Sequence, residues 1–145
     1  MKIKALMAAL LSIFIFSSVA IAAVPADEEA VKQAITTYVT GTDSKNTSAL
    51  ESVFHDAATF VGHNKLRNQY TSYSSSEYIN AVKRGRMGGW KRDLTITQVD
   101  VADGTAMAKI IVSDKKLRQH EYVSLIKVDG AWKIVNSTFS VEKAS

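Results

Sequence analysis

The chain has 145 residues, no cysteine and a formal net charge of +4. This length fits one ordinary domain with a single core. The lack of cysteine excludes disulfides, thiol catalysis and thiolate metal sites, and so weak a positive charge gives no reason to expect a nucleic-acid partner.

The N-terminal segment is typical of a secretory signal peptide. After two lysines, Ala5 to Phe16 form an apolar run, and Ala20-Ile21-Ala22 is a small-residue cleavage site. We therefore expect residues 1–23 to be removed, leaving residues 24–145 as a single domain in the periplasm or outside the cell. No later stretch is apolar enough to cross a bilayer. Without cysteine the mature chain cannot be a lipoprotein, so no membrane contact is expected after cleavage.

The first part of this domain predicts short helices. Apolar residues recur at helical spacing from Asp27 to Gly41. Capping boxes at Ser48 and Ser74, each with a glutamate three residues later, predict the starts of two more helices. Between these helices we expect a short strand, Thr59 to Gly62, and a long polar loop, His63 to Ser76.

The last third of the chain, Trp90 to Val141, predicts a sheet. Alternating apolar residues indicate three long strands, with tight Asp-Gly turns at Asp103-Gly104 and Asp129-Gly130. Because the strands are segregated behind the helices, the fold class is α+β. Long curved strands next to short helices predict a sheet wrapped around a cavity.

Four segments carry a family resemblance: AVKQAITTYVTG, SALESVFHDAATFVG, SSSEYINAV and EYVSLIKVDGAWKIVNSTF. Together they resemble the nuclear-transport-factor-two-like superfamily, and within it the branch called "putative lumazine-binding", over residues 28–139. The resemblance implies a cone-shaped, cystatin-like domain. In it, a strongly bent and mostly antiparallel sheet folds over two or three N-terminal helices and encloses a cavity.

The same superfamily contains steroid delta-isomerases, scytalone dehydratases and polyketide cyclases. Carried over residue by residue, the isomerase pattern keeps its tyrosine at Tyr38. It has Gly62 in place of its general base, and Ser124 lies near the position of its second donor. Because the proton transfer requires the base, the resemblance implies a non-catalytic domain, and no cofactor is expected.

One strand leaves its orientation open. His120 alternates with Tyr122 and Ser124, so these three share a face. Either this face lines the cavity above Tyr38, or the intervening residues, Glu121 among them, point inward, since periodicity alone does not choose a face. The place of Ser124 in the isomerase pattern favours the first arrangement, and with it a cavity free of carboxylates.

The other histidines have separate interpretations. His63 follows the first predicted strand directly and is either an exposed loop histidine or a proton acceptor at the cavity mouth. His55 is interpreted as part of a structural turn. The spacing of the three histidines does not match a metal-binding motif, so no metal site is expected.

Aromatic and basic residues cluster around the third predicted helix. Tyr78 and Trp90 are of the type that lines small-molecule cavities, or that closes the end of a small core. The basic, glycine-containing segment from Lys83 to Arg92 is either a flexible anion-binding lip or a solvated helix end.

Three functions follow as hypotheses. The first is an exported, non-catalytic domain that binds a small, partly aromatic molecule, with Arg67 or Arg86 meeting an anionic group. Its expected wall residues are Tyr38, Tyr78, Trp90, His120, Tyr122 and Ser124. The second is a lyase or isomerase with His63 or His120 as base and Tyr38 as electrophile. The third is a structural module that forms a homodimer through its sheet.

Overall fold

The computed structural model describes residues 25–145, and the predicted signal peptide lies outside the described residues. Three helices are found there, α1 (Ala26–Asp43), α2 (Thr47–Val53) and α3 (Ser75–Lys83). The strands are β1 (Phe54–Asn64), β2 (Gln69–Ser74), β3 (Asp93–Ala102), β4 (Thr105–Ser113), β5 (Leu117–Val128) and β6 (Ala131–Lys143). Within residues 25–145, no helix is both long and apolar enough to span a membrane.

The six strands form one curved, unclosed sheet in the order β2-β1-β6-β5-β4-β3. Neighbouring strands are antiparallel except β1 and β6, which are parallel. The helices pack on one side of this sheet. The predicted fold class, a helix-covered α+β cone, is confirmed.

The C-terminal meander has four strands, and the prediction of three is wrong. The two predicted Asp-Gly turns are present, each with positive φ at both central residues, as in a type I′ hairpin turn. A further turn, between β4 and β5, contains no glycine. There the carboxylate of Asp114 accepts the backbone N–H groups of Lys116 and Leu117 at 2.7 and 2.8 Å. Because this turn depends on an aspartate side chain, the glycine-containing turn patterns of the sequence do not reveal it.

Of the two predicted capping boxes, one is confirmed and one is wrong. The predicted capping box of α3 is present, with Ser74 and Glu77 bonded reciprocally. Helix α2 instead begins after Asn46, whose side chain accepts the N–H of Ala49 at 3.1 Å, so the box predicted at Ser48 is wrong. The predicted loop contains β2, which pairs with β1 along its whole length.

An aromatic cluster fills the middle of the cone. Its members are Tyr38 of α1, Phe54 and Phe60 of β1, and Tyr78 of α3, with ring centroids 4.6 to 6.0 Å apart. Phe54 and Phe60 are buried in the core. The open space therefore lies on the far side of Tyr38 and Tyr78, towards one end of the sheet.

Candidate functional site

Two adjoining cavities, of about 300 and 250 Å³, open at one end of the sheet. Residues at the end of β1, the start of β5, the end of β6 and the segment before β3 line both. We call this continuous space the mouth cleft, and its shared lining residues are Asn64, Trp90, Arg92, Gln119 and Val141.

A buried carboxyl group, that of Glu121, lies behind the wall of the mouth cleft. Its Oε1 accepts hydrogen bonds from the hydroxyls of Tyr38, at 2.9 Å, and Ser137. Its Oε2 accepts a hydrogen bond from Nε2 of Gln119 at 2.8 Å. Tyr38 and Gln119 line the cleft, whereas Glu121 is only 1% exposed. The carboxyl group therefore holds two wall residues in place from behind.

Burial sets the ionisation of this cluster. It raises the pKa of Glu121, and hydrogen bonds from Ser137, Tyr38 and Gln119 partly offset that rise. Burial also raises the pKa of Tyr78 to about 12. The pKa of Tyr38 lies well above its ordinary value, first through burial and then through the adjacent Glu121 charge. Both tyrosines therefore keep their protons at neutral pH.

Arg92 connects the mouth cleft to the end of α1. Its Nη2 and Nε contact Oδ1 of Asp43 at 2.5 and 2.8 Å, and both side chains are largely buried, at 14% and 13% exposure. The guanidinium carbon lies 4.5 Å from the ring centroid of Trp90, a cation–π arrangement. The ion pair with Asp43 thus fixes the position of the Arg92 guanidinium group, which contacts the ring of Trp90.

The glycines before Trp90 pack against α1. The N–H of Gly89 donates to the carbonyl of Asp43 at 2.8 Å. A Cβ on Gly88 would lie 2.2 Å from the carbonyl oxygen of Thr42, so only glycine permits this close approach. The segment is therefore docked on α1, and the N–H of Gly89 is not available to an anion.

The structure brings four of the predicted ligand-binding residues together. Tyr38, Tyr78, Trp90 and Arg67 all line the larger cavity of the mouth cleft. They come from α1, α3, the segment before β3 and the β1–β2 turn. Their role in ligand binding remains a prediction.

The predicted orientation of His120, Tyr122 and Ser124 is wrong. These residues lie on the outer face of β5, where Tyr122 is 49% exposed, while Glu121 and Val123 point into the core. Burial of apolar side chains favours this face, and three hydrogen bonds compensate the buried carboxyl group. The expectation of a carboxylate-free interior is therefore also wrong.

Two further candidates lie away from the mouth cleft. His63 is on the outer face of β1, where its ring stacks on Tyr70 with centroids 4.3 Å apart, so of its two interpretations the place at the cavity mouth is wrong. Arg86 lines a neighbouring pocket beside α3, of about 380 Å³. This pocket shares Tyr73 and Met87 with the mouth cleft, but Arg86 itself does not line the cleft. Near the start of β1, Nδ1 of His55 accepts the N–H of Ala57 at 3.1 Å, which fits its structural interpretation.

The sequence patterns do not single out Asn64 or Gln119, and they include Arg92 only as the last residue of the basic segment Lys83 to Arg92. The partner of Arg92, Asp43, is 49 residues away in the chain, so no local pattern could reveal the pair. For Gln119 a signal existed, because it shares the two-residue period of Glu121. That period marks it as inward-facing once the buried face of β5 is known.

A comparison with family models matches residues 26–140 to the family described as "Putative lumazine-binding". The match covers nearly the whole described region. The chain belongs to this family.

Solved structures share the fold of this family member. NTF2-like proteins of unknown function from Silicibacter pomeroyi and Shewanella baltica superpose with TM-scores of 0.69 and 0.70, at 21% and 18% identity. The superpositions cover 79% and 81% of this chain and 94% and 95% of those chains. A ketosteroid isomerase-like protein from Erwinia carotovora gives a TM-score of 0.64 at 15% identity, covering 84% and 99%. These likenesses establish the fold alone. No curated protein matches the chain.

At Gly62, the position that the resemblance assigns to the isomerase-type base, the ring of Phe139 fills the space beside the backbone. Gly62 and Phe139 are paired on adjacent parallel strands. A Cβ on Gly62 would lie 2.1 Å from the ring of Phe139, so no aspartate fits there without moving the ring. The inward carboxyl group that contacts Tyr38 belongs to Glu121, and Ser124, predicted near that place, faces outward.

Proposed function

We propose that this protein is an exported, non-catalytic domain that binds a small, flat, partly aromatic molecule in the mouth cleft. The observation that carries the proposal is the Trp90–Arg92 pair at the cleft, held by Asp43. An exposed ring beside a fixed guanidinium group offers stacking and hydrogen bonding to one planar ligand. The name of the family, which refers to lumazine binding, supports a flat, partly aromatic ligand.

The cleft has the size and lining of a small-molecule site. About 300 Å³ lies at the lower end of the range for ligand cavities. Tyr73, Tyr78 and Trp90 supply aromatic surface, and Arg67 lies on the wall. Among residues 25–145, Arg67 forms no ion pair. It is the residue we propose to meet an anionic or carbonyl group of the ligand.

The arrangement of polar groups supports binding without catalysis. Neither histidine of the lyase or isomerase hypothesis lies in the mouth cleft, and Phe139 fills the place of the isomerase-type base. The Tyr38 hydroxyl donates its hydrogen to Glu121, so it is engaged inside the protein. A bound molecule would contact wall residues that are already engaged in hydrogen bonds with other protein groups. It would not contact a free proton acceptor of the kind that catalysis requires.

Tryptophan fluorescence tests the proposal directly, with lumazine as the first probe. Of the two tryptophans, Trp132 is 5% exposed and Trp90 42% exposed, so Trp132→Phe leaves Trp90 as the reporter. We expect saturable quenching by lumazine, weakened about tenfold by Arg67→Met, the loss of one charged hydrogen bond. Arg86→Met, in the neighbouring pocket, is the matched control and should bind like the parent protein. Absence of saturable quenching by lumazine or by flavin-like compounds would contradict the proposal.

A second proposal, independent of the first, concerns the outer face of the sheet. Val61, Met107 and Tyr122 are 39%, 51% and 49% exposed there, and Val61 and Tyr122 both pair with Thr138 of β6. Exposed apolar side chains that share one face of a sheet favour association. We propose that a second copy of this chain covers them in a homodimer.

A further inference from the structure

We propose that Gln119 presents its side-chain carbonyl oxygen to the mouth cleft and thereby selects ligands that carry an N–H or O–H donor at that contact. The inference rests on the proposed function, because it specifies the chemistry of the ligand edge that enters the cleft.

The orientation of the Gln119 amide follows from its partner. Its Nε2 donates to Oε2 of Glu121 at 2.8 Å, so Oε1 is the remaining polar atom of the amide. Within residues 25–145 this oxygen has no hydrogen-bond partner, and the only buried side-chain polar atom without one is Oγ of Ser140. The oxygen is therefore solvent-accessible, and the residue lines both cavities of the mouth cleft.

Above its folded pKa, Glu121 is ionised and acts as an acceptor on both of its oxygens. Oε1 receives the hydroxyls of Tyr38 and Ser137, and Oε2 receives the amide of Gln119. Three donors satisfy an ionised carboxylate. A reversed Gln119 amide would place its oxygen against a carboxylate oxygen, so that two acceptors would face each other without a proton.

The side-chain amide of Asn64, which lies two strands away from Gln119 across Val141 of β6, is held in the opposite orientation. Its Oδ1 accepts the backbone N–H groups of Leu66 and Arg67 at 3.0 and 3.2 Å, which leaves Nδ2 as its remaining polar atom. The mouth cleft therefore offers an acceptor at Gln119 and donors at Asn64 and Arg92. A flat ring with adjacent N–H and C=O groups, as in a cyclic amide or imide, matches this pattern.

The substitution Glu121→Gln provides a sharp test, because it keeps the shape and reverses one hydrogen bond. Oε1 of the introduced amide still accepts from Tyr38 and Ser137, but its NH₂ group now faces Gln119. Gln119 must then turn its oxygen towards this group and present its own NH₂ to the cleft. Glu51→Gln, at an exposed position of α2, is the matched control.

Binding of two probes measures the selection. Lumazine carries ring N–H donors, and 1,3-dimethyllumazine keeps the carbonyl groups but has methyl groups at those nitrogens. We expect wild type and Glu51→Gln to bind lumazine about tenfold more tightly than the dimethyl compound. In Glu121→Gln the preference should vanish or reverse. Equal affinity of wild type for both probes, or an unchanged preference in Glu121→Gln, overturns the proposal.

Nuclear magnetic resonance of ¹⁵N-labelled protein decides the amide orientation without any ligand. The Gln119 NH₂ signals, assigned by their loss in Gln119→Met, should exchange slowly with water in wild type and rapidly in Glu121→Gln. Rapid exchange in wild type would overturn the inferred orientation. If neither probe binds wild type, the proposed function fails and donor selection fails with it, whereas slow exchange would show that the orientation itself is correct.

Discussion

The ring of Phe139 fills the space in which a side chain at Gly62 would lie. The two residues are paired on the parallel strands β1 and β6. A Cβ on Gly62 would lie 2.1, 2.3 and 2.4 Å from the nearest ring carbons of Phe139, and non-bonded carbon atoms do not approach one another so closely. The ring can lie where it does only because the residue opposite has no side chain. At the position that the resemblance assigns to the isomerase aspartate, this chain therefore has a hydrocarbon ring and no carboxylate.

Gly62→Ala should therefore destabilise the fold. The added methyl group has to displace the Phe139 ring, and such overpacking costs about 1–3 kcal/mol. Urea unfolding of the single variants and of the double variant Gly62→Ala/Phe139→Ala measures the coupling between the two positions. We expect Gly62→Ala to cost much less when Phe139 is already alanine. Equal costs in both backgrounds would show that the ring is not what excludes the side chain.

The stability of the protein should depend on the ionisation of Glu121. Burial raises its folded pKa above the ordinary value of 4.5, so the folded state holds this proton more tightly than the unfolded chain does. The resulting stabilisation is fully present below pH 4.5 and is lost as the pH rises through the folded pKa. Arg92, Tyr38 and Tyr78 are the other titratable groups coupled to this carboxyl group.

Comparison with Glu121→Gln isolates this contribution. The free energy of unfolding of wild type, relative to that of the variant, should fall as the pH rises from 4.5 to neutral. Urea titrations of both proteins at several pH values check this. A difference that stays constant over that interval would mean that Glu121 has the same pKa in the folded and unfolded states.

Loss of the Arg92–Asp43 pair should cost more than loss of an exposed ion pair. In Asp43→Asn the mostly buried guanidinium group loses its charged partner, and we expect a cost of about 2 kcal/mol, less than for a fully buried pair. Lys65→Met, which removes an ion pair whose side chains are 53% and 36% exposed, should cost less than about 1 kcal/mol. Denaturant unfolding measures both values. Similar small costs would indicate that solvent screens the Arg92 pair as well.

The homodimer proposal predicts the mass of the particle in solution. Light scattering at micromolar concentration should give twice the protomer mass for wild type. Tyr122→Glu should give the protomer mass, because it places a charge on the exposed apolar face. Leu66→Glu adds the same charge at a 53% exposed position in the β1–β2 turn and should leave the dimer intact. A monomeric wild type would be incompatible with the proposal.

The proposed export predicts the N-terminus of the processed protein. Intact mass spectrometry of protein recovered outside the cytoplasm of a bacterial host should show cleavage after Ala22 or Ala23. The same material should be absent from the membrane fraction. Recovery of the chain at its full mass of 15.8 kDa would contradict processing.

Several features of the fold could be read from local patterns. The capping box at Ser74 and the Asp-Gly turns depend on neighbouring residues alone, and the structure contains them. The glycine-free turn at Asp114 and the strand β2 were missed. The first relies on a side-chain oxygen, and the second is stabilised by pairing with β1 rather than by its own polar sequence.

The amino-acid sequence by itself determined which residues of β5 share a face, because side chains alternate along any strand. Only the tertiary structure decided that the face of Glu121 and Val123 points inward. The decision depends on the apolar surface that the helices place opposite the sheet and on three hydrogen-bond donors, two of them from other elements, that meet one carboxyl group. The same holds for the mouth cleft, whose walls come from distant parts of the chain and meet only when the sheet curves.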